Sequence, residues 1–280
     1  MSYKDYKIQR HGKYYYRGDW DESLFKNSIA IVGSRQMTKY GETVIDKFVS
    51  DFVLNNVTTI SGFMYGVDTE VAKKTVEYEG RHIAVFGCGL DVVYPSENEK
   101  LYSQILENDG LVISEYEPNA KPHLWKFPQR NKIVVELATI GVLVIEAGES
   151  SGSLVTAKLA KKAGKKVWAV PGPINSRVSV GCNKLIKSGD AKMATSVEDI
   201  LGKRLRFSSV IEIGAERIAK TSTLSRQEQE IYKLLQLESM EIDEIARKTG
   251  ESIVEIGTTL SIMGIKGLVA ESGGKYYPVN

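Results

Sequence analysis

Between Ser28 and Gly202 the sequence alternates short apolar segments with amphipathic stretches six times. Apolar segments of this length, bounded by glycines, are typical of strands that are buried on both faces. The stretches between them repeat apolar residues every three or four positions, which is the spacing of one helical face. The alternation predicts an α/β fold, in which helices cover both faces of a doubly wound, mostly parallel sheet.

The first of these units runs from Ile29 to Arg35 and leads into a helix that begins near Thr38. Parallel sheets bind ligands at the carboxyl ends of their strands, where free backbone N–H groups and helix N-termini favour anions. We therefore predict that Gly33, Ser34 and Arg35 contact an anion; a tight turn without a ligand is the alternative. Small residues follow the other predicted strands at Ser61-Gly62, Gly87-Cys88-Gly89, Glu146 to Ser153 and Pro171-Gly172. Together these strand ends predict a broad floor for a ligand that carries phosphate groups.

The densest candidate site is the segment Lys126 to Lys132, which places three cations and an aromatic ring within seven residues. It ends a long polar connection, residues 115–128, and leads into a helix predicted from Arg130 to Ala138. Rings that stack on bases, together with cations that bind phosphates, are typical of sites for single-stranded nucleic acid. The candidate contacts are Lys126, Phe127, Arg130, Asn131 and Lys132. The alternative is a solvated helix start with a buried phenylalanine.

Composition narrows the possible classes of protein. Two cysteines and three histidines, without metal-ligand spacing, predict neither a disulfide framework nor a zinc site. The formal net charge is only +2, so a nucleic-acid site must be a local patch. The longest apolar runs are of strand length and the N-terminus lacks the apolar core of a secretory signal, so we expect a cytoplasmic protein without membrane contact. We expect no metal and no cofactor.

Three nucleotide-binding or catalytic motifs are incomplete. The dinucleotide fingerprint stops at Gly87-Cys88-Gly89, because Val92 stands where a third glycine is needed. No Walker sequence ending in Gly-Lys-Ser or Gly-Lys-Thr occurs, which excludes a P-loop nucleotide hydrolase. Residues 148–152 match a hydrolase nucleophile elbow, but no histidine follows them in the chain to serve as the base. We predict instead that this loop binds phosphate through Gly152, Ser153 and Thr156.

The N-terminal segment is rich in cations and rings. Its first 17 residues interleave five Lys or Arg residues with five tyrosines, a composition that suits single-stranded nucleic acid. We favour the alternative, a short strand near Lys13 to Tyr16 that packs on the main domain and turns at Gly18-Asp19. Residues 1–26 are therefore predicted to form a short arm or hairpin, and residues 27–203 the main domain.

The C-terminal part changes pattern. Residues 204–222 lose the alternation and predict a linker. Residues 223–280 contain three short helical patterns and an alternating segment that turns at Gly273-Gly274, which predicts a winged helix-turn-helix domain. In many such domains the third helix enters the major groove of DNA. Here the helix from Ser252 to Gly264 contains Glu255 and no Lys or Arg, so we favour a protein-binding or packing role over duplex recognition.

In their order along the chain, these motifs resemble the DNA-processing protein A family, also called DprA or Smf, from Lys13 to Val279. The segments that carry the resemblance are Tyr15 to Asp19, Ile31 to Arg35 with Tyr40-Gly41, Ser61-Gly62 with Gly66 to Asp68, Gly87 to Asp91 with Tyr94-Pro95, Phe127 to Ile133, Glu146-Ala147, Ser151 to Leu154 with Thr156-Ala157, and Ala169 to Gly172. Each segment is modest by itself, whereas the ordered set is specific.

The resemblance implies an extended Rossmann fold, with a C-terminal winged helix in many members. It also implies a homodimeric protein without catalytic activity that binds single-stranded DNA and loads the RecA recombinase during natural transformation or recombination. The DNA groove implied by the family is lined by Gly33, Ser34, Arg35, Phe127, Arg130, Asn131 and Lys132. The chemistry of the strand ends and of the cation-rich segment adds further predicted DNA contacts: Ser61, Gly62, Lys126, Gly152, Ser153 and Thr156.

Departures from the family pattern leave two alternatives open. Many members carry an N-terminal SAM-type helical domain, which we do not expect here, because only about 26 residues precede Asn27 in this sequence. Phe63, Met64 and Tyr65 enlarge a loop that the family builds from smaller side chains. One alternative is a Rossmann-like phosphoribohydrolase, although residues 148–156 lack its Pro-Gly-Gly-x-Gly-Thr-x-x-Glu motif. The other is a winged-helix regulator that binds duplex DNA.

Overall fold

The computed structural model describes residues 2–202, 225–265, 268–272 and 274–278. They fall into two compact units, one within residues 1–207 and one within residues 208–280. The first unit is built on a nine-stranded, mostly parallel sheet, and the second is a small helical unit with a three-stranded sheet. The predicted fold class is confirmed. The predicted linker, residues 204–222, lies outside the described residues, and the domain bounds stay a prediction.

The strands of the larger sheet are β1 Gln9–His11, β2 Tyr14–Gly18, β3 Ser28–Val32, β4 Thr58–Ser61, β5 His82–Val85, β6 Leu111–Ser114, β7 Gly141–Val144, β8 Val167–Ala169 and β9 Lys192–Met193. Their spatial order is β1-β2-β6-β5-β4-β3-β7-β8-β9, and all strands from β3 onward are parallel. The chain extends from β3 towards β6 and then crosses back to β7. The order therefore switches between β3 and β7, which is where doubly wound sheets bind ligands.

The N-terminal arm forms one edge of this sheet. β1 and β2 are a hairpin, and β2 pairs antiparallel with β6, with Tyr15 opposite Ser114. The side chains of Tyr14 and Tyr16 are buried in the core, so the strand interpretation of this segment is confirmed. Arg17 is also buried, where it donates to the Leu90 carbonyl at 2.7 Å.

Helices cover both faces of the sheet: α1 Ser23–Lys26, α2 Lys39–Leu54, α3 Val67–Glu77, α4 Glu99–Glu107, α5 Lys126–Leu137, α6 Gly152–Lys162, α7 Val180–Lys187 and α8 Glu198–Leu201. Side chains alternate along β3, so that Ala30 and Val32 pack in one cluster with α5, α6 and α7. Ile29 and Ile31 pack on the opposite face with α2, α3 and α8. This two-sided burial explains why every side chain from Ile29 to Val32 is apolar.

Two helices begin at other residues than predicted, and several short elements of the first unit have no sequence prediction. α5 begins at Lys126 rather than Arg130, because Pro128 is tolerated in a first helical turn, where its missing N–H needs no partner. The sequence predicts a helix over residues 97–108 capped by Ser96, but α4 begins only at Glu99, after a 3-10 turn over Ser96–Asn98. The unpredicted elements include the helices α1, α7 and α8 and the two-residue strand β9; α1, α8 and β9 are too short to show a periodic pattern.

The C-terminal unit contains the helices α9 Arg226–Leu237, α10 Ile242–Thr249 and α11 Ile253–Ile265 and the strands β10 Met240–Glu241, β11 Val269–Ser272 and β12 Lys275–Pro278. Ser225 begins α9 with a capping box to Glu228, and Gly250 ends α10 in the left-handed conformation. Ile231, Ile245 and Ile256, one from each helix, meet in its core. This arrangement is the predicted winged helix. In the described part of the chain, no helix has both the length and the apolar character that crossing a membrane requires.

Candidate nucleic-acid interface

An open groove of about 850 Å³ lies at the carboxyl edge of the sheet, at the switch between β3 and β7. Its walls come from the loops that follow β3, β4, β7 and β8 and from the first turns of α5 and α6. The predicted site residues that line it are Gly33, Ser34, Arg35, Gly62, Phe127, Arg130, Asn131, Gly152, Ser153 and Thr156. The fold therefore brings four separate sequence motifs to one surface. Contact of these residues with a ligand stays a prediction.

The loop after β3 is held close to the start of α3. A Cβ added to Gly33 would lie 2.5 Å from Val67 Cγ2, so only glycine allows this approach. Val67 N–H donates to the Ser34 carbonyl at 3.1 Å, and Ser34 Oγ accepts from the Gln36 N–H at 3.0 Å. Packing and hydrogen bonds therefore fix the conformation of this loop, which leaves the Arg35 side chain exposed at the groove.

A buried carboxylate fixes the far end of the same loop. Glu146, 1% exposed at the end of β7, accepts from Thr38 N–H at 2.9 Å and from Thr38 Oγ1 at 2.5 Å. Thr38 is in turn the N-cap of α2. Because Glu146 connects β7 to α2, it fixes the strand-end loops on the two sides of the switch relative to each other.

The ring of Phe127 lies between two arginines and a glycine. The Arg35 guanidinium carbon is 5.6 Å from the ring centroid, and that of Arg130 is 6.0 Å from it. A Cβ at Gly87 would lie 2.8 Å from Phe127 Cδ1, so the ring packs directly on this backbone. Phe127 is only 9% exposed and therefore presents a small part of its ring to the groove.

Arg130 is part of the floor of the groove. It is 3% exposed, and its Nη1 donates to the carbonyl oxygens of Gly62 and, at 2.6 Å, of Val85. Its Nε donates to Asn131 Oδ1 at 3.1 Å. The prediction that Arg130 grips a phosphate conflicts with this burial, because these internal acceptors already hold the guanidinium. The early start of α5 turns Arg130 towards the sheet together with Lys126 and Phe127.

A buried carboxyl group accompanies this arginine. Asp68, in the first turn of α3, accepts from the Met64 N–H at 3.3 Å and lines the groove. Burial raises the pKa of Asp68, and the nearby Arg130 guanidinium opposes that rise. Burial likewise lowers the pKa of Arg130, with Asp68 as the opposing charge. The two groups therefore offset part of each other's cost of burial.

The loop after β7 forms the opposite wall. Ser151 is the N-cap of α6, and its hydroxyl accepts from the Ser153 N–H at 3.3 Å. The two hydroxyls of Ser151 and Ser153 are 2.8 Å apart and bond to each other. Gly152 is exposed, and a Cβ there would meet no atom within 4 Å. Ser151 thus holds the Ser153 N–H through its hydroxyl and the Leu154 N–H through its carbonyl, and the positive end of the α6 dipole faces the groove.

Three predicted site residues do not line the groove. Ser61 is fully buried, and its hydroxyl donates to the Asp68 carbonyl at 3.0 Å. Lys126 is 6% exposed, and its Nζ donates to the Lys121 carbonyl at 2.7 Å. Lys132 is exposed on α5, outside the groove. We therefore remove Ser61 and Lys126 from the set of direct contacts, since both side chains are held inside.

The groove also contains residues that the sequence does not single out as contacts. Tyr65, 42% exposed, and Gln36 stand beside the β3 loop, and Arg177 lies in the loop after β8. The rule that ligands bind at the ends of parallel strands could have selected two of them from the sequence, because Tyr65 follows β4 and Arg177 follows β8. In the described residues, no group of three or more His, Cys, Asp or Glu side chains could hold a metal ion.

The amino-acid sequence matches two known family descriptions. The family described as DNA recombination-mediator protein A matches residues 9–204, and the family described as DprA winged helix domain matches residues 215–275. The DNA processing protein DprA of Streptococcus pneumoniae is 40% identical over 189 residues, which are 68% of this chain and 65% of that protein. Protein Smf of Escherichia coli is 34% identical over 261 residues, which are 91% of this chain and 68% of that protein. The chain thus spans about two thirds of the length of these curated relatives.

Two solved structures are also similar. The X-ray structure of the S. pneumoniae DNA processing protein A has a TM-score of 0.63 and 39% identity, over 68% of this chain and 65% of that one. DNA processing protein A from Helicobacter pylori has a TM-score of 0.59 and 29% identity, over 66% of this chain and 83% of that one. The H. pylori structure was described for a unique single-stranded DNA binding mode.

Proposed function

Because this chain belongs to the DNA recombination-mediator protein A family, also called DprA or Smf, we propose that it binds single-stranded DNA in the groove at the carboxyl edge of its sheet. The observation that carries the proposal is the convergence of Arg35, the Phe127 ring and the open start of α6 on one groove. The single-stranded DNA binding of the similar H. pylori protein supports the same ligand.

The chemistry of the groove favours an unpaired strand over a duplex. The groove offers the exposed guanidinium groups of Arg35 and Arg177 for phosphates, and the positive end of the α6 dipole faces it. Tyr65 offers an exposed ring surface, on which a base can stack only when it is unpaired, whereas the buried Phe127 supports the groove from below. These contacts involve phosphates and ring faces, which all nucleotides share. We therefore propose that the groove binds single strands of any base sequence.

We propose that the protein acts without catalysis. In the hydrolase motif at residues 148–152 the nucleophile position is Ser150, and none of the described residues that line the groove is a histidine that could act as its base. The one nucleophile-like motif in the chain therefore lacks an activating partner. The glutamate that a phosphoribohydrolase needs in this loop is also missing from the sequence.

The winged helix is proposed to bind protein rather than duplex DNA. The described part of α11 exposes Ile253, Val254 and Ile262, and its sequence contains no Lys or Arg. A cation-poor helix cannot neutralise the phosphates that flank a major groove. We further propose, from family membership, that the protein is a cytoplasmic homodimer that delivers single strands to RecA recombinase in transformation or recombination.

A titration of the purified protein at defined salt tests the proposal. Single-stranded DNA, duplex DNA of the same length and AMP are compared, and free adenine is assayed in the AMP sample. We expect binding of the single strand, weaker binding of the duplex and no release of adenine. A preference for the duplex would favour the regulator, and release of adenine would favour the hydrolase.

A further inference from the structure

The near-neutral net charge conceals a strongly basic segment. Residues 150–197 carry nine Lys or Arg residues and one acidic residue. The rest of the chain carries 28 Lys or Arg residues and 34 acidic residues. The formal charge of this segment is therefore +8, and that of the remainder is −6. Surfaces that serve only solubility intersperse both signs. A segment with this much positive charge is a candidate surface for an anionic ligand.

Eight of these cations form what we call the lysine face: Lys158, Lys161, Lys162, Lys165, Lys166, Lys184, Lys187 and Lys192. They lie on α6, on α7 and in the segments that follow these helices. α6 and α7 cover the same face of the sheet, where Ala157 and Cys182 share one core cluster. All eight side chains are exposed except that of Lys165, which is half-buried.

Internal partners account for only two members of the lysine face. Lys161 forms an ion pair with Asp190, and Lys165 donates to the carbonyls of Glu136 and Ala138 at 2.8 and 2.7 Å. Within the described residues, Lys162, Lys166, Lys184 and Lys187 form no ion pair. The helix dipole favours cations in the last turns of α6 and α7, but it does not reach Lys158, Lys166 or Lys192.

The lysine face and the groove are joined by one helix. The first turn of α6 lines the groove with Gly152, Ser153 and Thr156. The 11-residue helix then extends about 16 Å away from it at 1.5 Å per residue. Its far half borders a second depression of about 310 Å³, which is lined by Ala157, Lys158, Lys161, Lys162, Leu185 and Asp190. Among the described residues that line this depression there is no aromatic ring, so they offer charge without a surface for base stacking.

We propose that the lysine face binds the phosphate backbone of single-stranded DNA where the strand leaves the groove and follows α6. The inference rests on the proposed function of the groove and adds a second binding surface to it. Strands that fit within the groove do not reach the lysine face, whereas longer strands gain one screened charge contact after another. Affinity should therefore depend on strand length, and that dependence should come from lysines outside the groove.

The test compares two lengths of oligothymidine on two matched variants. One variant carries Lys158→Gln, Lys162→Gln and Lys184→Gln. The control carries Lys26→Gln, Lys47→Gln and Lys100→Gln, which are exposed, border neither the groove nor the depression and change the net charge equally. Binding is measured with strands of about 6 and about 30 nucleotides, which bracket the usual site sizes. At about 0.15 M salt, charges more than about 8 Å apart are largely screened. A change in affinity therefore reports lysines that lie close to the bound DNA.

We expect the lysine-face variant to bind the long strand at least about tenfold more weakly, with a salt slope smaller by about 2, at about 0.7 per lost contact. Its affinity for the short strand, and both affinities of the control, should stay within about twofold of the unsubstituted protein. If the lysine-face variant bound the long strand as tightly as the unsubstituted protein, or lost equal affinity for both lengths, the proposal that the lysine face binds DNA would be wrong. The groove proposal would still stand. If the unsubstituted protein bound neither strand, both proposals would fall.

Discussion

Arg130 donates from Nη1 to the carbonyl oxygen of Gly62, and a Cβ at position 62 would lie 2.4 Å from the Arg130 guanidinium carbon. The glycine and the arginine are 68 positions apart in the chain. Each is an independent candidate contact in the sequence, but in the fold they form one unit. The missing side chain of Gly62 leaves the space that the guanidinium fills under the groove.

Gly62→Ala should destabilise the first unit by about 1–3 kcal/mol, because an added Cβ in this packed site must displace Arg130. Gly152→Ala is the matched control, since a Cβ there meets nothing within 4 Å and alanine favours a helix. Urea unfolding of the three proteins measures the difference. Equal stability of the two alanine variants would contradict the packing that we describe.

Arg130→Lys should also reduce the free energy of unfolding, by about 1–3 kcal/mol, because a lysine has no counterpart of the Nε that donates to Asn131 while Nη1 donates to two carbonyls. Lys132→Gln, on the exposed side of the same helix, should change stability by less than about 0.5 kcal/mol. Thermal or urea unfolding reports both values. A neutral Arg130→Lys substitution would mean that the guanidinium is not needed in the floor.

Arg35→Ala should weaken binding of single strands of any sequence and reduce the salt slope by about 0.7, because one phosphate contact is lost. Stability should be unaffected, since the side chain is exposed. Arg10→Ala, an equally exposed arginine on β1, serves as the control. Fluorescence anisotropy at several salt concentrations gives the slopes, and identical slopes for the two variants would exclude Arg35 as a phosphate contact.

Tyr65→Ala should cost about 1–3 kcal/mol of binding free energy if a base stacks on this exposed ring. Tyr65→Phe should retain the affinity, because stacking needs the ring, whereas the hydroxyl donates to the Glu97 carboxylate at 3.4–3.5 Å. DNA strands with abasic positions provide a second measurement. Because they have no base to stack on the ring, the two variants should bind them with equal affinity. Equal affinities of the alanine and phenylalanine variants for an intact strand would rule out stacking at this position.

His82 should make the first unit sensitive to acid. Its Nδ1 is 2.7 Å from Thr59 Oγ1 and its Nε2 is 3.1 Å from Ser61 Oγ, inside the sheet. Burial lowers the pKa of His82 to about 3, whereas the unfolded value is about 6.5. Between these values the unfolded chain binds a proton that the folded chain does not, so stability is full above pH 6.5 and declines towards pH 3.

The expected slope from this histidine is at most about 1.4 kcal/mol per pH unit. Urea unfolding between pH 7 and pH 5 measures it, in a range where most carboxylates are still ionised. His82→Gln should be less stable at pH 7 but should lose less stability on acidification. A parallel decline of both proteins would assign the acid sensitivity to other groups.

Much of the fold follows from local patterns in the sequence. The apolar run from Ile29 to Val32 predicts a strand buried on both faces, and the structure confirms it. The rule that ligands lie at strand ends selects the loops at Gly33 and Gly152, which do face the same groove. These predictions succeed because a parallel sheet aligns the carboxyl ends of its strands whatever the packing details.

Tertiary structure alone decides which candidate side chains reach that groove. Whether Arg130 faces solvent or the sheet depends on where α5 begins and on the space left by Gly62. The lysine face is visible in the sequence as a cluster of charge, but only the packing of α6 and α7 on one side of the sheet makes it a surface. Sequence periodicity fixes the local conformation of each element, because it reflects contacts between near neighbours. The exposure of a single side chain depends on elements far apart in the chain, whose contacts leave no local pattern.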